Sequence, residues 1–511
     1  MPDSQNPPAH TDNDAKQKRQ REQVEKLLAR ETTRSTGSVT LADGRRLDYD
    51  VSCGFMPVLQ GGLSGERGES QAAVFTTAYT QRDSTAHQRP LCFAFNGGPG
   101  SSSVWLLLGA LGPKRVVVPD DGSMPPPPYA VVDNPLTWLA HFDLVFIDPP
   151  HTGWSLTASD EARKTMLSVD GDVAALTEVI QAWLTRHQRW GSAVYLAGES
   201  YGTTRAAALA ESLQSAHVAL AGLLLVSCAM DLQSLVFTPR NDLPYALFLP
   251  AFANAAHFHG RLGGVIGASS EAARSAAEAF VAEDYLAALH AGARLSDAKR
   301  TRIAKRIAEL TGLPRALVEE KNLRISEQTF FFELLREQGR IVGRLDARAT
   351  GPMAASRTRE WEFDPGIEAL AAPYGMAVQA YFGEQLGLQF EQRYELMSME
   401  VNRRWNWNRG GANPRNPGDE PAQGNSFAST SDDLSRALRR NPHLRVFVAS
   451  GRYDLGTPYS ASDWSLAQLD APAEVLERVT HRYYDAGHMM YTRQADLVQL
   501  ASDLAAWLGD A

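Results

Sequence analysis

The most constraining feature of the sequence is a serine flanked by glycines between an apolar run and a helical pattern. Residues 194–197 are mainly apolar, residues 198–202 read GESYG, and residues 203–213 have a helical pattern. In this setting, G-x-S-x-G is typical of a nucleophilic serine on a sharp strand-to-helix turn, where close backbones exclude larger flanking residues. The helix start would also stabilise negative charge that develops beside Ser200. The pattern predicts a nucleophile at Ser200; the alternative is a turn whose serine only caps the helix.

Two later turns supply an acid and a base, in the chain order that accompanies such a serine. Residues 444–450 read as a strand, and Asp454 lies in the turn after it. Residues 478–484 read as the next strand, and His488 follows in the same way. Because the carboxyl ends of parallel strands meet at one edge of a sheet, we expect both residues to lie near Ser200. The three residues are a candidate catalytic triad.

Other acids and histidines could compete for these roles. Asp463 falls in a helical pattern, and Asp485 is too near His488 in the chain to approach its far ring nitrogen easily. His257 and His259 form an H-x-H pair, but no third ligand accompanies them at the spacing of a metal site. We therefore expect the acid of the triad to come from residue 454, and we expect no metal and no cofactor.

A glycine-rich loop follows an early apolar run. Residues 92–103 read CFAFNGGPGSSS. Beside a serine turn of this kind, such a loop supplies one backbone N–H of an oxyanion hole, and the residue after the nucleophile supplies the other. We therefore predict that the amides of Gly98 and Tyr201 bind the oxyanion. A phosphate-binding loop is the alternative, but no Gly-Lys-Ser/Thr follows, and Pro99 has no N–H to donate.

Strands alternate with helices in two blocks of the chain, which indicates parallel β-α units. The predicted strands are residues 73–78, 91–95, 144–147, 193–197, 223–227, 444–450 and 478–484; the predicted helices include residues 170–186 and 493–508. Between the blocks, Ser269, Ser296 and Ser326 each begin a helical pattern that the serine oxygen would cap. The predicted organisation is a polar flexible tail at 1–38, an α/β core at 39–235 and 401–511, and a helical cap at 236–400 over the active edge. Within the tail, residues 20–30 form a short, weakly docked helix.

The composition of the chain limits the kinds of molecule that it is expected to bind and the compartment in which it is expected to work. The 511 residues carry a net charge of −9, because 59 acidic residues outnumber 50 basic ones, which argues against non-specific nucleic-acid binding. Three cysteines, Cys53, Cys92 and Cys228, allow one disulfide at most, so a disulfide framework is excluded. The N-terminus lacks the apolar segment of a secretory signal, and no apolar run is long enough to cross a membrane. We expect a cytoplasmic protein, with a homodimer left open, that acts on a small molecule or a peptide.

Taken together, the motifs resemble those of the serine carboxypeptidase family, which includes lysosomal and yeast vacuolar carboxypeptidases, in a bacterial-type form. The matching motifs are NGGPGSSS at 96–103, LGP at 111–113, NPLTW at 134–138, DPPHTGWS at 148–155, GESYG at 198–202, SGRYD at 450–454 and GHM at 487–489. They follow the order of the family, although residues 236–400 match only as a helical insertion. The resemblance implies an α/β-hydrolase fold, with a mostly parallel central sheet, helices on both faces and a helical cap.

The resemblance also implies a serine-type carboxypeptidase, which releases C-terminal residues from peptides through an acyl-enzyme. Its expected partner is a peptide with a free C-terminus. The resemblance gives Ser200 the role of nucleophile, His488 that of base and then acid, and Asp454 that of orienting carboxylate. The other implied assignments are Gly98 and Tyr201 for the oxyanion hole, and Asn96, Gly97 and Glu199 for binding the substrate and its terminal carboxylate.

An acid beside the nucleophile can pair with a substrate carboxylate only if one of the two holds a proton. We therefore expect activity on peptides to fall as the pH rises and Glu199 ionises. The sequence departs from the family at Ala110, where a second glutamate is usual, and at Ser101, where a cysteine is usual. The missing glutamate keeps open an esterase or acyltransferase that uses the same triad on a non-peptide acyl substrate. A catalytically silent binding protein is a third alternative, which the intact triad disfavours.

Several residues at or near the cap are candidates for the side-chain pocket or for packing. Four aromatic residues have either role open to them: Tyr374, Tyr381, Trp405 and Trp407. Arg344, Asp346 and Arg348 alternate along a polar stretch, and we interpret them as structural ion pairs rather than substrate contacts.

Overall fold

A computed structural model describes residues 10–59, 68–82, 89–409 and 427–509 of the chain. Its strands, in chain order, are β1 Thr33–Thr40, β2 Arg46–Leu59, β3 Ser70–Gln81, β4 Leu91–Phe95, β5 Lys114–Val116, β6 Val131–Asp133, β7 Asp143–Ile147, β8 Leu156–Thr157, β9 Val194–Glu199, β10 Leu220–Val226, β11 Arg340–Val342, β12 Thr350–Pro352, β13 Arg445–Gly451 and β14 Val479–Tyr484. Every predicted strand overlaps one of them.

The main sheet has the strand order β1-β2-β3-β7-β4-β9-β10-β13-β14, and β8 joins it by pairing with β3. From β7 to β14 neighbouring strands are parallel, whereas β1, β2 and β3 form an antiparallel edge. Helices cover both sides of the central parallel strands, so β4 and β7 are buried along their whole length, whereas the edge strand β14 is polar and partly exposed. The predicted α/β-hydrolase fold is confirmed. The sequence prediction missed β1 and β2, whose edge position alternates buried with exposed residues.

The helices of the described chain are α1 His10–Leu28, α2 Val104–Leu106, α3 Asp160–Met166, α4 Val169–Arg186, α5 Tyr201–Ser215, α6 Leu243–Leu247, α7 Leu249–Phe258, α8 Ser270–Phe280, α9 Leu286–Ala291, α10 Asp297–Thr311, α11 Arg315–Glu320, α12 Glu327–Glu333, α13 Pro365–Ala380, α14 Met399–Arg404, α15 Ser431–Arg440, α16 Tyr459–Ala467, α17 Ala473–Leu476 and α18 Gln494–Gly509. One face of the sheet packs against α4, α5 and α15, and the other packs against α13 and α18. The three predicted serine caps are confirmed, because Ser269, Ser296 and Ser326 each accept a backbone N–H at the start of α8, α10 and α12.

The region predicted as one cap contains two parts that pack differently. Helices α7 to α12 form a second hydrophobic cluster, in which Phe252 stacks on Phe330 with 4.2 Å between ring centroids and which also includes Tyr453 and Leu455 beside Asp454. In contrast, α13 contributes Tyr374 and Val378 to the main core beneath the sheet. Within the predicted cap, the second cluster therefore ends near Ala347, and the residues after it pack on the catalytic core.

The N-terminal region differs from the polar flexible tail that the sequence predicted. Helix α1 spans His10–Leu28, longer than the predicted helix, and Val24 is fully buried in the main core. Strand β1 then pairs with β2 along its full length. The prediction was wrong for residues 10–38, because the few apolar residues of this segment are concentrated on the faces that dock.

The three cysteines are free and buried, so hydrophobic packing rather than a disulfide holds the fold. None of the described helices combines the length and apolarity that crossing a membrane requires.

Candidate active site

The predicted serine turn lies between β9 and α5. Ser200 separates Glu199, the last residue of β9, from Tyr201, the first of α5, and has φ 60° and ψ −128°. This left-handed conformation is strained for a serine and is common at functional turns. A Cβ on Gly198 would come within 2.2 Å of the carbonyl oxygen of Gly202, so the flanking glycine is required by close approach of the helix. The strained turn is confirmed.

The predicted acid and base are in direct contact. Nδ1 of His488 lies 2.7 Å from Oδ2 of Asp454, and both side chains are buried. Oδ1 of Asp454 also accepts the backbone N–H groups of Gly456 and Thr457, at 2.7 and 3.0 Å, and the Thr457 hydroxyl donates to Oδ2 at 2.6 Å. These bonds hold the carboxylate in one orientation. Nε2 of His488 is then the ring atom that can exchange a proton with a nucleophile.

Hydrogen bonds at the end of β10 tie the histidine loop to the serine turn. The N–H of Ser200 donates to the carbonyl oxygen of Val226 at 2.9 Å. The hydroxyl of the next residue, Ser227, donates to the carbonyl oxygen of His488 at 2.6 Å. One strand end thus holds both residues at the same sheet edge, as expected from the strand order.

The pKa of the acid is lowered and the pKa of the base is raised, because their pairing outweighs the effect of burial on each. Burial by itself raises the pKa of Asp454, but His488 and Thr457 more than offset this and hold that pKa below its ordinary value. Burial lowers the pKa of His488, but Asp454 and Glu199 hold it above its ordinary value. The imidazolium form is therefore stabilised at a position where a base would take a proton from serine.

The competing acids and histidines have other partners. The Asp463 carboxylate contacts Nδ1 of His481 at 3.0 Å, and Nδ1 of His488 faces Asp454 rather than Asp485. His259, from the H-x-H pair, bonds through Nε2 to the carbonyl oxygen of Ala347 at 2.7 Å. Within the described residues, no group of three or more His, Cys, Asp or Glu side chains is arranged to hold a metal ion.

The two predicted oxyanion-hole residues line the same cleft as the serine. Gly98 has φ 105°, a backbone conformation that favours glycine. Tyr201 is the first residue of α5, so its N–H has no acceptor within the helix. A Cβ on Gly97 would come within 2.4 Å of the backbone nitrogen of Tyr201. The glycine-rich loop and the helix start therefore pack directly against each other.

A buried ion pair behind the serine turn supports the glycine-rich loop. Arg205, on α5, donates to the backbone oxygen of Asn96 at 2.6 Å and to both oxygens of Asp172 at 2.7 and 3.2 Å. The two charged side chains are each 1% exposed. The side-chain oxygen of Asn96 accepts the N–H of Leu106 at 3.0 Å. Sequence reasoning missed Arg205 and Asp172, because no local motif connects residues on two different helices.

Glu199 is buried beside the serine, and its partner is a residue that the motifs did not mark. The hydroxyl of Tyr491 donates to Oε2 of Glu199 at 2.6 Å. Burial raises the pKa of Glu199 to about 7, although His488, Tyr491 and Asn96 act in the opposite direction. This carboxyl group can therefore be protonated or ionised near neutral pH.

Tyrosine rings fill the space beside the position where the family usually has a second glutamate. A Cβ on Gly109 would come within 2.3 Å of the Tyr491 ring and within 2.9 Å of the Tyr374 hydroxyl. The neighbouring Ala110 is fully buried. In this chain, Glu199 thus accepts a hydrogen bond from a phenol at the place where the family usually has a second acid.

A cleft of about 780 Å³ opens over the serine turn. Of the four aromatic candidates, Trp407 lines this cleft and packs edge-on against Tyr201, with ring centroids 5.6 Å apart. Trp405 packs against the same ring at 5.2 Å. Tyr374 and Tyr381 belong instead to the main hydrophobic core.

The charged residues of the stretch after β11 have separate roles. Asp346 and Arg348 form an ion pair at 2.6 Å, as the sequence predicted. Arg344 lines the cleft, and its Nε lies 3.6 Å from a carboxylate oxygen of Glu327 at the start of α12. The interpretation of Arg344 as only a structural residue is therefore incomplete.

Comparison with known proteins shows similarity to one family over part of the chain. A family model described as serine carboxypeptidase matches residues 60–236. Over this segment the chain is similar to the serine carboxypeptidases. The predicted resemblance to that family is confirmed over this segment, and the matches indicate a serine hydrolase. The matched segment contains Ser200 and the glycine-rich loop, whereas Asp454 and His488 lie outside it, so their assignment depends on the geometry above.

The relatives share part of their length with this chain. Serine carboxypeptidase-like 5 of Arabidopsis thaliana is 28% identical over 157 residues, which are 29% of this chain and 34% of the relative. Serine carboxypeptidase-like 13 of the same plant is 26% identical over 204 residues, which are 38% of this chain and 45% of the relative. The chain thus covers less than half the length of these two relatives.

Among solved structures, that of esterase E22 aligns with 90% of this chain and 100% of its own, at 12% identity and a TM-score of 0.37.

Proposed function

We propose that this protein is a serine-type carboxypeptidase, which releases C-terminal residues from peptides through an acyl-enzyme. The observation that carries the proposal is the buried hydrogen bond between His488 and Asp454, located at the sheet edge where Ser200 occupies a strained turn. A buried acid beside that turn and a cleft bordered by the cap support a substrate that enters by its chain end.

In the proposed acylation step, Oγ of Ser200 attacks the scissile carbonyl carbon while its proton passes to Nε2 of His488. The amides of Gly98 and Tyr201 bind the carbonyl oxygen as it becomes negative, and each such donor contributes about 10²- to 10³-fold to the rate. The C–N bond then breaks, and His488 gives the proton to the leaving amine. Asp454 stays ionised throughout and stabilises the imidazolium.

In the proposed deacylation step, His488 takes a proton from water as the water oxygen attacks the acyl carbon. The bond from that carbon to Oγ of Ser200 breaks, and the proton returns from His488 to the serine. The shortened peptide leaves with a new carboxylate.

Recognition of the substrate's terminal carboxylate is assigned to Asn96, Gly97 and Glu199. With a pKa of about 7, Glu199 is protonated in slightly acidic solution and can donate to a carboxylate. Above that pH it ionises and repels the substrate. Activity on peptides is therefore expected to fall as the pH rises through neutrality.

The test uses N-blocked dipeptides that are identical except for a free or an amidated C-terminus. Release of the last residue from the free acid alone supports the carboxypeptidase. Equal turnover of both peptides, or turnover of a simple ester alone, contradicts it. A Ser200→Ala protein in the same assay excludes a contaminating peptidase.

The absence of the second family glutamate, at Ala110, favours a second candidate function. An esterase or acyltransferase would use the same proposed triad on a non-peptide acyl substrate and would depend less on carboxylate recognition. Turnover of a simple ester by a protein that cleaves neither dipeptide would support this candidate.

A further inference from the structure

The cleft above Ser200 has a strongly asymmetric lining. Its wall on the side of α6 is apolar, with Leu232, Leu235, Val236 and Phe237. Among the described residues that line it, Arg344 carries the only cationic side chain and Glu327 the only anionic one. Both charges come from the segment between β10 and β13, outside the loops that carry Ser200, Asp454 and His488. A substrate in this cleft therefore meets one guanidinium in mainly apolar surroundings.

The guanidinium of Arg344 is available for a further partner. The side chain is 42% exposed, and its ion pair with Glu327, which is 29% exposed, is loose, with 3.6 Å between Nε and the carboxylate oxygen. Arginine has five N–H donors in a planar fork that matches a carboxylate with two parallel hydrogen bonds. At 3.6 Å the contact with Glu327 is longer than a hydrogen bond, so a closer partner can displace it. Arg348, four residues on, contrasts with this arrangement, because it pairs with Asp346 at 2.6 Å.

Arg344 lies close to the proposed triad, so it can bind a part of the substrate near the bond that is cleaved. Its Cζ lies 3.5 Å from the position that a Cβ on Gly456 would take, and Gly456 donates its N–H to Asp454 at 2.7 Å. The next residue, Leu345, accepts the backbone N–H of His488 at 2.6 Å. The segment that carries Arg344 is thereby fixed to the histidine loop.

We propose that Arg344 binds a carboxylate of the substrate, and that Glu327 occupies the guanidinium when no substrate is present. This inference rests on the proposed function and specifies its substrate class as an acyl compound that carries a carboxylate beside apolar groups. Arg344 differs from Glu199 as a recognition residue, because a guanidinium pairs with a carboxylate through opposite charge and needs no proton to be shared between the two.

The first test compares kcat/KM for three substrates: a neutral nitrophenyl ester, a blocked peptide with a free C-terminus, and the same peptide with one Gln replaced by Glu. Arg344→Gln is expected to lower kcat/KM for a carboxylate-bearing substrate by roughly 10- to 100-fold, as for loss of hydrogen bonds to a charged group. It should leave the neutral ester nearly unchanged. A loss shared by both peptides identifies the terminal carboxylate, and a loss confined to the Glu peptide identifies the side chain.

Two further variants test the ion-pair partner Glu327 and the planar shape of the Arg344 guanidinium. Arg344→Lys keeps the charge but not the planar fork, so it should recover only part of the lost activity. Glu327→Gln removes the competing carboxylate and should raise kcat/KM for the carboxylate-bearing substrate a few-fold. Arg315→Gln is the matched control, because Arg315 is an exposed cap residue paired with Glu319 and lies outside the cleft lining. Equal loss for all three substrates, or no loss for any, would overturn the proposal.

A binding measurement separates this proposal from the proposed function. Calorimetry with Ser200→Ala measures binding of the free-acid, amidated and Glu peptides without turnover. Adding Arg344→Gln should weaken binding of a carboxylate-bearing peptide and leave that of its uncharged counterpart unchanged. Unchanged binding of all peptides overturns the role of Arg344 even if the protein proves to be a carboxypeptidase. If instead the selective loss is found but no peptide bond is cleaved, the role of Arg344 stands and the carboxypeptidase fails.

Discussion

The sheet-edge loops and the helical cap contribute to one cleft, but they hold their charged groups in different ways. In the loops, Asp454 is fully buried, contacts the base at 2.7 Å and accepts three further hydrogen bonds from its own turn. In the cap, Arg344 is 42% exposed and has a loose pair with Glu327. Groups that transfer protons need a fixed geometry, whereas a group that recognises a ligand must exchange one partner for another. The difference suggests chemistry in the loops and selectivity in the cap.

The largest expected effect is loss of the nucleophile from the loop side. Ser200→Ala should lower kcat by about 10⁶-fold, because a catalytic serine and its base act as a unit. It should also abolish labelling by a fluorophosphonate probe. Ser123→Ala, at an exposed serine outside the cleft, serves as the control and should be labelled normally. Persistent labelling of Ser200→Ala would show that another serine is the nucleophile.

Loss of the orienting acid is the next largest effect. Asp454→Asn should lower kcat by about 10⁴-fold with little change in KM, because the neutral amide neither fixes the tautomer nor stabilises the imidazolium. Asp463→Asn is the matched control, since Asp463 pairs with His481 rather than with His488. Similar losses in the two variants would remove Asp454 from the triad.

The free energy of unfolding should depend more on a buried ion pair behind the sheet-edge loops than on an exposed ion pair in the cap. Asp172→Asn breaks the buried pair with Arg205 behind the glycine-rich loop and should lower the free energy of unfolding by about 3–5 kcal/mol. Asp284→Asn, at the exposed cap pair with Arg302, should cost at most about 1 kcal/mol. Denaturant unfolding monitored by tryptophan fluorescence measures both. A cap variant that destabilises as much as the core variant would contradict the comparison.

The pH dependence tests the acid of the loop side. Since burial raises the pKa of Glu199 to about 7, kcat/KM for a free-acid peptide should fall as the pH rises above that value, by up to about tenfold per pH unit. Glu199→Gln cannot ionise and should lose this alkaline limb. The profile for a neutral ester provides the control. A wild-type profile on the peptide that stays flat from about pH 4.5 to 8 would remove Glu199 from carboxylate recognition.

The smallest expected effect is a shift of the pH profile when the Tyr491 hydroxyl, which donates to Glu199, is removed. Tyr491→Phe removes a hydrogen bond that favours the ionised form of Glu199, so the alkaline limb should move to higher pH by roughly one unit. Tyr484→Phe is the matched control, because its hydroxyl donates to Asp503 outside the cleft. An alkaline limb that stays in place in Tyr491→Phe would mean that the tyrosine only packs.

The parts of the site that follow directly from local motifs were predicted well. The turn at Ser200, the loop at Gly98 and the strands before Asp454 and His488 each depend on short stretches in which neighbours in sequence are neighbours in space. In contrast, the partner of Glu199 and the ion pair behind the loop join residues from separate elements, so no local pattern marks them. The cap shows the same limit, since its helix starts were predicted from serine caps but its division into two packing units was not.

The sequence by itself determined the α/β class, the order of serine, acid and histidine, and the glycines without which the serine turn could not form. Those properties follow from backbone sterics and from periodicity, which act over a few residues. Only the tertiary structure decided that Arg344 lines the cleft, whereas the ion pair of Arg348 with Asp346, in the same polar stretch, was already expected from the sequence. Exposure and partners depend on which elements pack around a side chain, and packing between distant segments leaves no signature in the local sequence.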